Sequence, residues 1–127
     1  MRPTTVDAVI TDERKILLVK RRFEPYKGLW ALPGGFVEKN ETVEQAVERE
    51  AFEETGVRIK IAKIIGVYST PKRDPRGTIS VGFIATPLSK ELKWDVEVEE
   101  VKWFTLDELP PLAFDHADII SDARRML

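Results

Sequence analysis

The sequence has no cysteine among its 127 residues, a single histidine, and no apolar run near the ~18 residues of a transmembrane helix. The missing cysteine excludes disulfides, thiolate metal sites and cysteine nucleophiles. The N-terminus also lacks a signal-peptide pattern, so we expect a cytoplasmic protein without a membrane partner. Lysine plus arginine number 20 and aspartate plus glutamate 22, a net charge of −2. Because the charges nearly balance, the protein is not expected to bind nucleic acid through its overall electrostatic field, and no nucleic-acid partner is expected.

Length and composition predict one domain over residues 1–127. Hydrophobic residues make up 43% and charged residues 33% of the chain, which is typical of a folded protein rather than a disordered one. No internal repeat, low-complexity tract or linker is visible. The predicted order is strands, one central helix, strands and one terminal helix. That order predicts an α/β sandwich, in which helices cover the faces of a mixed sheet.

Apolar and β-branched patterning sets the predicted element boundaries. Strands are predicted over residues 6–11, 16–20, 57–68, 78–88 and 96–104. A helix is expected over 41–55, where Asn40 or its neighbour is the N-cap and Gly56 the left-handed C-cap. A final helix is expected over 114–126 and a single helical turn over 106–109. Prolines and glycines predict loops over 21–33 and 71–77.

The central helix breaks the ordinary amphipathic pattern. At about 100° per residue, Val43 and Val47 begin an apolar stripe whose next positions are Glu50 and Glu54, with Glu53 alongside. Like charges at this spacing repel, so the pattern predicts a counter-charge. Two interpretations stay open. One is a site for Mg²⁺ or Mn²⁺, which prefer oxygen ligands, and the other is a salt-bridged surface patch.

Residues 35–57, GFVEKNETVEQAVEREAFEETGV, resemble the Nudix box, G-x5-E-x7-R-E-U-x-E-E-x-G-U, where U is a bulky aliphatic residue. The matching residues are Gly35, Glu41, Arg49, Glu50, Glu53, Glu54, Gly56 and Val57. Only Ala51, at the first U position, departs from the pattern, and this concerns packing more than chemistry. GLWALPGG before the box and VKWFTLDELP near the end also look like the family. The resemblance covers essentially the whole chain and implies a Nudix-type α/β/α sandwich with a mixed β-sheet.

The resemblance implies hydrolysis of a nucleoside diphosphate linked to another moiety, with Mg²⁺ or Mn²⁺ and water. The metal ligands that it implies are Glu50, Glu53, Glu54 and the backbone carbonyl of Gly34. Arg49 and Glu41 are implied to orient a ligand glutamate. This agrees with the helix pattern, because a divalent cation would neutralise the acidic face and offset the charge of a diphosphate.

The general base is left open between a box glutamate and a carboxylate from a later segment. Glu97, Glu99 and Glu100 are the later candidates, and Glu97 is preferred for its spacing to Trp103. The competing interpretation is an ordinary solvated strand face, because valines and glutamates alternate there.

Two segments outside the box resemble small ADP-ribose pyrophosphatases and related Nudix proteins of NAD metabolism. They are VYSTPKRDPRG at 67–77 and LAFDH at 112–116. The implied reaction converts ADP-ribose and water into AMP and ribose 5-phosphate. The alternatives are a Nudix pyrophosphatase acting on (d)NTPs or dinucleoside polyphosphates, and a ligand-sensing Nudix domain. The sensor is the least expected, since the box is intact and no helix-turn-helix follows Leu127. A homodimer is left open.

Cationic and aromatic side chains outside the box are the candidates for substrate contact. The candidates for binding phosphate or ribose are Arg21, Arg22, Lys27, Arg73 and Arg76. The candidates for stacking on adenine are Phe23, Tyr26 and Phe36. Trp30 is expected to pack under the loop at residues 34–35 and Phe52 to lie in the core. His116 is expected to be a structural hydrogen-bonding residue rather than a base.

Overall fold

The computed structural model describes residues 1–127, with seven strands and two helices. In chain order the elements are β1 (Thr4–Asp12), β2 (Lys15–Arg21), β3 (Trp30–Ala31), β4 (Gly34–Phe36), α1 (Val43–Thr55), β5 (Ile59–Tyr68), β6 (Ile79–Pro87), β7 (Val98–Thr105) and α2 (His116–Met126). A short 3₁₀ turn, Pro71–Arg73, lies between β5 and β6. Neither helix has the length and apolar character needed to cross a membrane.

Strand β1 is the centre of the mixed sheet. It runs parallel to β6, and β5 pairs antiparallel with the far side of β6. Near its end β1 pairs with β2, which in turn pairs with β3 and β7. Near its start β1 pairs antiparallel with β4, where Asp7 lies opposite Gly34. The glycines of β4 are thereby held against the start of the central strand.

The two helices cover separate cores, which confirms the predicted sandwich. Ala46, Val47 and Ala51 of α1 belong to one buried cluster. Ile119 and Ile120 of α2 belong to the other. Strand β1 supplies residues to both clusters because successive side chains of a strand point to opposite faces. Ala51 is fully buried, so the small residue at the departing box position lies in the helix–sheet contact.

The start of α1 lies two residues later than predicted. Thr42, not Asn40, is the N-cap: its hydroxyl accepts from the Gln45 amide at 3.0 Å, and the Gln45 side chain accepts from the Thr42 amide at 2.8 Å. This reciprocal capping box satisfies two amides that a helix start leaves free. The predicted C-cap is confirmed, because Gly56 has a φ of 79° and its amide donates to Phe52 O.

Several other boundaries differ by a few residues from the prediction. β5 begins at Ile59 rather than 57, β7 at Val98 rather than 96, and α2 at His116 rather than 114. The segment 106–109 is a turn, closed by the Glu108 amide on Thr105 O, and not a helical turn. The two prolines that follow it lack amide hydrogens and disfavour helical backbone before them.

Two aromatic residues lie elsewhere than expected. The prediction that Phe52 is a core residue is wrong: it is 43% exposed, with the Arg58 guanidinium 4.5 Å from its ring centre. Phe52 lies about 180° from Val43 around α1, and this helix packs on one side only. Trp30, expected under the loop at 34–35, packs on the α2 side, edge-to-face with Phe104 at 4.8 Å.

Replacing a buried and an exposed phenylalanine by alanine should lower the free energy of unfolding by different amounts. Phe83 is fully buried on β6, so Phe83→Ala is expected to lower the free energy of unfolding by about 3–5 kcal/mol. Phe52→Ala is expected to lower it by less than about 1 kcal/mol, the usual size of an exposed cation–π contact. Urea denaturation measures both. Equal losses would show that Phe52 is packed in solution.

Candidate active site

A cleft of about 290 Å³ opens beside α1 and the β1–β4 pair, near the lower limit of small-molecule sites. One group of lining residues belongs to β4, α1 and the segment before β7: Gly34, Gly35, Glu50, Glu54 and Glu97. A second group comes from β1, the loop before β6 and the start of α2: Asp7, Arg73, Asp74, Arg76, Phe114 and His116. Acidic and basic side chains therefore share one cleft.

An acidic recess adjoins the cleft and shares three glutamates with it. It is lined by Glu50, Glu53, Glu54, Asp95 and Glu97, without a hydrophobic residue. The side chain of Glu50 is 14% exposed and that of Glu53 is 53% exposed. The fold thus brings Glu97 to the predicted acidic face of α1, although 43 or more residues separate them in sequence.

Arg49 joins the acidic face of α1 to the preceding loop. Its Nη1 donates to Glu50 at 2.7 Å and to Glu53 at 3.0 Å. Its Nη2 and Nε donate to the two oxygens of Glu41 at 2.6 and 3.0 Å, and Nη2 also reaches Phe36 O at 3.0 Å. The bonds with Glu41 raise the pKa of Arg49, and the same bonds lower the pKa of Glu41. Arg49 is a fixed cation in this position.

The surroundings of Glu50 and Glu54 disfavour the ionised form of both carboxyls. Burial raises the pKa of Glu50 to about 6 against the opposing effect of Arg49, and the charges of Glu53 and Glu97 add to the rise. Burial also raises the pKa of Glu54, although the Gly34 amide donates to its Oε1 at 3.0 Å. Positive charge brought into the recess would favour the ionised form of both carboxyls.

A side chain at either glycine of β4 would press on α1 or on β1, against backbone at Gly34 and against a glutamate side chain at Gly35. A Cβ on Gly35 would lie 2.5 Å from the Glu50 carboxylate, and a Cβ on Gly34 would lie 2.0 Å from Val6 O. Any larger residue would therefore displace either a glutamate of the recess or the β1–β4 pairing.

The side chains of the recess fit a hard divalent cation as ligands. All of them carry carboxylates, the oxygen ligands that Mg²⁺ and Mn²⁺ prefer. No three acidic or histidine side chains converge as a ready-made ligand set, since Glu50 is bound to Arg49 and Glu54 to the Gly34 amide. Binding of a cation would therefore require side-chain rotation around a backbone that is already in place.

Arg73 lies in the cleft wall, but its guanidinium is bound within the protein. It is 8% exposed. Its Nε and Nη2 donate to Asp115 at 2.9 and 2.7 Å, and its Nη1 donates to Thr78 at 2.6 Å. Asp7 lies 3.9 Å from Nη2. With these partners Arg73 fixes the loop before β6 to the start of α2 and has little capacity left for a ligand.

Arg76 lies between two aromatic rings of the cleft. Its guanidinium carbon is 5.0 Å from the centre of Phe36 and 5.6 Å from that of Phe114. Its Nε and Nη2 contact both carboxylate oxygens of Asp74. The guanidinium carbon of Arg21 lies 4.9 Å from the centre of the same Phe114 ring. Aromatic faces and guanidinium groups thus alternate along the wall.

Arg21 and Arg22 line the same cleft although they are consecutive. The register of β2 on β7 shifts between Lys20 and Arg21, and such a bulge disturbs the alternation of side chains. Neither arginine has a carboxylate within salt-bridge distance. Arg22 Nη2 donates to Val98 O at 3.3 Å, and its Nε is buried without a hydrogen-bond partner.

The remaining candidates differ in position. Phe23 lines the cleft and is exposed. Tyr26 packs edge-on against Phe114 at 4.7 Å and does not line the cleft. Lys27 is exposed and also lies outside the lining, so the fold does not bring it to the site.

The NUDIX domain family matches residues 1–123 of the chain. The chain belongs to this family. It is 53% identical over 121 residues to an ADP-ribose pyrophosphatase of Methanocaldococcus jannaschii. The aligned region covers 94% of this chain and 72% of that protein. It is 35% identical to the NUDIX domain of Shewanella oneidensis NrtR complexed with ADP ribose, at a TM-score of 0.88, covering 99% of this chain and 88% of that one.

A third relative is larger than this NUDIX chain. The bifunctional NMN adenylyltransferase/ADP ribose pyrophosphatase of Francisella tularensis is 32% identical with a TM-score of 0.89, covering 98% of this chain and 41% of that one. The family and the α/β/α fold implied by the box are thereby confirmed.

Some features of this NUDIX site were not predicted from the sequence. Asp95 was missed: it lies before the predicted strand, and a turn at residues 96–97, where the Glu97 amide donates to Asp95, brings it to the recess. Asp7 was missed as well. A single carboxylate inside the otherwise apolar strand TTVDAVI is unusual unless it has buried partners, and this was its signal.

Proposed function

We propose that this NUDIX protein hydrolyses ADP-ribose to AMP and ribose 5-phosphate, with Mg²⁺ or Mn²⁺ as cofactor. The observation that carries the proposal is the joining of an acidic recess to a cleft lined by Arg22, Arg76 and the exposed ring of Phe36. Carboxylates suit a cation, guanidinium groups suit phosphate and an aromatic face suits a base. The identity to an ADP-ribose pyrophosphatase supports ADP-ribose among the possible nucleotides.

In this proposal Glu50, Glu53, Glu54 and the carbonyl of Gly34 hold the cation. When bound, a divalent cation supplies charge that offsets the diphosphate oxygens and acidifies a coordinated water. Arg49 holds Glu50 and Glu53 at defined distances, and Glu41 holds Arg49 in turn. The backbone that carries these glutamates is thus in place before a cation binds, and only their side chains have to rotate toward it.

Glu97 is proposed as the general base. It lines both the recess and the cleft, and its backbone amide donates to Asp95 at 2.9 Å, which fixes the segment before β7. A water proton passes to the Glu97 carboxylate while the water oxygen forms a bond to phosphorus. The bond from that phosphorus to the bridging oxygen breaks, and the bridging oxygen leaves on the other phosphate.

Substrate contacts are proposed for Arg22 and Arg76 on the phosphates and for Phe36 on the base. Both arginines line the cleft, and Phe36 is 43% exposed. Arg73 is proposed to shape the wall through its bonds to Asp115 and Thr78. A direct role for Lys27 would require the loop between β2 and β3 to move.

The cytoplasmic location predicted from the sequence belongs to the same proposal, and the sequence left open whether the protein forms a homodimer. Cell fractionation measures the location, and light scattering on purified protein measures the oligomeric state.

A substrate panel tests the proposed reaction. ADP-ribose, dATP, diadenosine tetraphosphate and NADH are each incubated with the protein and Mg²⁺ or Mn²⁺, and the products are separated by chromatography. We expect AMP from ADP-ribose with a kcat/KM at least about tenfold above the others, since a site built for one nucleotide discriminates by a few kcal/mol. EDTA should abolish turnover. Good turnover of another substrate without AMP release from ADP-ribose would reject the proposal.

A further inference from the structure

His116 occupies a buried position between three elements of the fold. It is 3% exposed, at the first residue of α2. Its Nδ1 accepts a hydrogen bond from the Leu32 amide at 3.0 Å, and its Nε2 lies 3.3 Å from Asp7 Oδ1. Since Nδ1 is an acceptor, the proton resides on Nε2, which donates to Asp7. Both ring nitrogens are therefore engaged inside the protein.

Asp7 is held as a carboxylate at the other end of this contact. Burial alone would raise the pKa of Asp7, but the charge and the hydrogen bond of His116, then the hydrogen bond from Ser80 and the nearby Arg73 guanidinium, keep it below the usual value. Ser80 lies on β6 and donates to Asp7 Oδ2. An ionised acceptor makes the bond from His116 stronger than one between neutral groups.

Both partners of His116 flank the backbone that carries Gly34. Leu32 lies two residues before Gly34, and Asp7 lies opposite Gly34 in the β1–β4 ladder. The space at the Gly34 α-carbon is bounded by Asp7, whose Oδ1 would lie 2.8 Å from a Cβ there. The Gly34 amide in turn donates to Glu54 at 3.0 Å. A continuous set of bonds thus runs from His116 to a carboxylate of the acidic recess.

We propose that His116 is a positioning residue for the cation site. It holds the segment from Leu32 to Gly34 in the register on β1 that aims the Gly34 amide at Glu54. The inference rests on the proposed function in one respect, the assignment of Glu54 and the Gly34 carbonyl as ligands. His116 transfers no proton in this role, because both of its nitrogens are engaged inside the protein.

Three substitutions separate this role from simple support of the core. In His116→Asn the side-chain oxygen occupies the place of Nδ1 and keeps the bond from the Leu32 amide. In His116→Gln the terminal amide reaches the place of Nε2 and keeps the bond to Asp7. His116→Ala keeps neither. Mn²⁺ binding is followed by electron paramagnetic resonance without substrate, and unfolding is followed by circular dichroism.

We expect His116→Ala to weaken Mn²⁺ binding about 10–100-fold, the usual effect of losing a group that orients a metal ligand. His116→Asn should recover most of the affinity and His116→Gln little of it, because the Leu32 bond acts on the segment that carries Gly34. The Mn²⁺ concentration for half-maximal turnover should rise in parallel, with a smaller change in kcat at saturating metal.

Tyr68→Phe is the matched control, because it removes a different bond of α2, that of Tyr68 Oη to Asp122 at 2.6 Å. It should leave Mn²⁺ affinity unchanged. Unchanged Mn²⁺ affinity in His116→Ala, or better recovery by Gln than by Asn, would overturn the inference. If the alanine variant does not fold, the Asn and Gln variants alone decide. If the wild-type protein binds Mn²⁺ but does not hydrolyse ADP-ribose, only the proposed substrate is contradicted. If the wild-type protein does not bind Mn²⁺, both proposals are contradicted.

Discussion

Replacing Glu54 by glutamine is expected to lower kcat at least about a hundredfold, the usual result of removing one preorganised charged group from a reaction centre. The amide oxygen of glutamine can still accept from Gly34, so the backbone should stay in place. Only the charge is lost, in a recess where burial already raises the pKa of Glu54. Steady-state kinetics with Mg²⁺ and thermal unfolding in EDTA are the two measurements. The metal-free variant should be at least as stable as the wild type.

Glu48→Gln is the control for this experiment. Glu48 is an exposed glutamate of the same helix and lines neither the cleft nor the recess. Its kcat and stability should match the wild type, within twofold and about 0.5 kcal/mol, as is usual for surface changes. A Glu54→Gln enzyme with wild-type turnover would remove Glu54 from the proposed ligand set. Loss of stability without loss of turnover would assign it a structural role instead.

Local patterns in the sequence predicted the elements well. Seven residues separate Val43 from Glu50, which is nearly two helical turns, so the acidic face of α1 follows from helix geometry alone. Gly56 ends α1 as predicted because only a residue that accepts positive φ fits there easily. Phe52 was misplaced for a different reason: hydrophobic character does not reveal that a helix packs on a single face.

The substrate side of the cleft was harder to predict, because its contacts join distant parts of the chain. Arg73 looked free in sequence, yet its partner Asp115 lies 42 residues away, and this pairing decides what Arg73 can bind. Arg21 and Arg22 were candidates in a predicted loop, but Arg21 belongs to β2, and the register shift of β2 on β7 at this residue could not be predicted from the local sequence. The acidic face of α1 could therefore be predicted from local spacing, whereas contacts between side chains that are distant in sequence could not.

Replacing Arg49 by methionine is expected to make the stability of the protein depend on Mg²⁺. Arg49 contacts Glu41, Glu50 and Glu53, and its side chain is 24% exposed. Removing one partner of a fully buried ion pair costs about 3–5 kcal/mol. Partial exposure screens the charges, so we expect a loss of about 1–3 kcal/mol in EDTA. Urea denaturation with EDTA and with millimolar Mg²⁺ measures the loss under both conditions.

The loss should be smaller with Mg²⁺ because a cation and Arg49 both neutralise the same carboxylates. A ligand that binds only the folded protein stabilises it more when its concentration is higher relative to its Kd. Removing the guanidinium that competes for Glu50 and Glu53 should lower the Kd for Mg²⁺, so the variant should gain more stability from Mg²⁺ than the wild type. Arg125→Met removes an exposed pair with Asp122 and should change stability by less than about 0.5 kcal/mol under either condition. An equal loss for Arg49→Met with EDTA and with Mg²⁺ would mean that no cation reaches those glutamates. The acidic face of α1 would then be the salt-bridged patch that its spacing alone could not exclude.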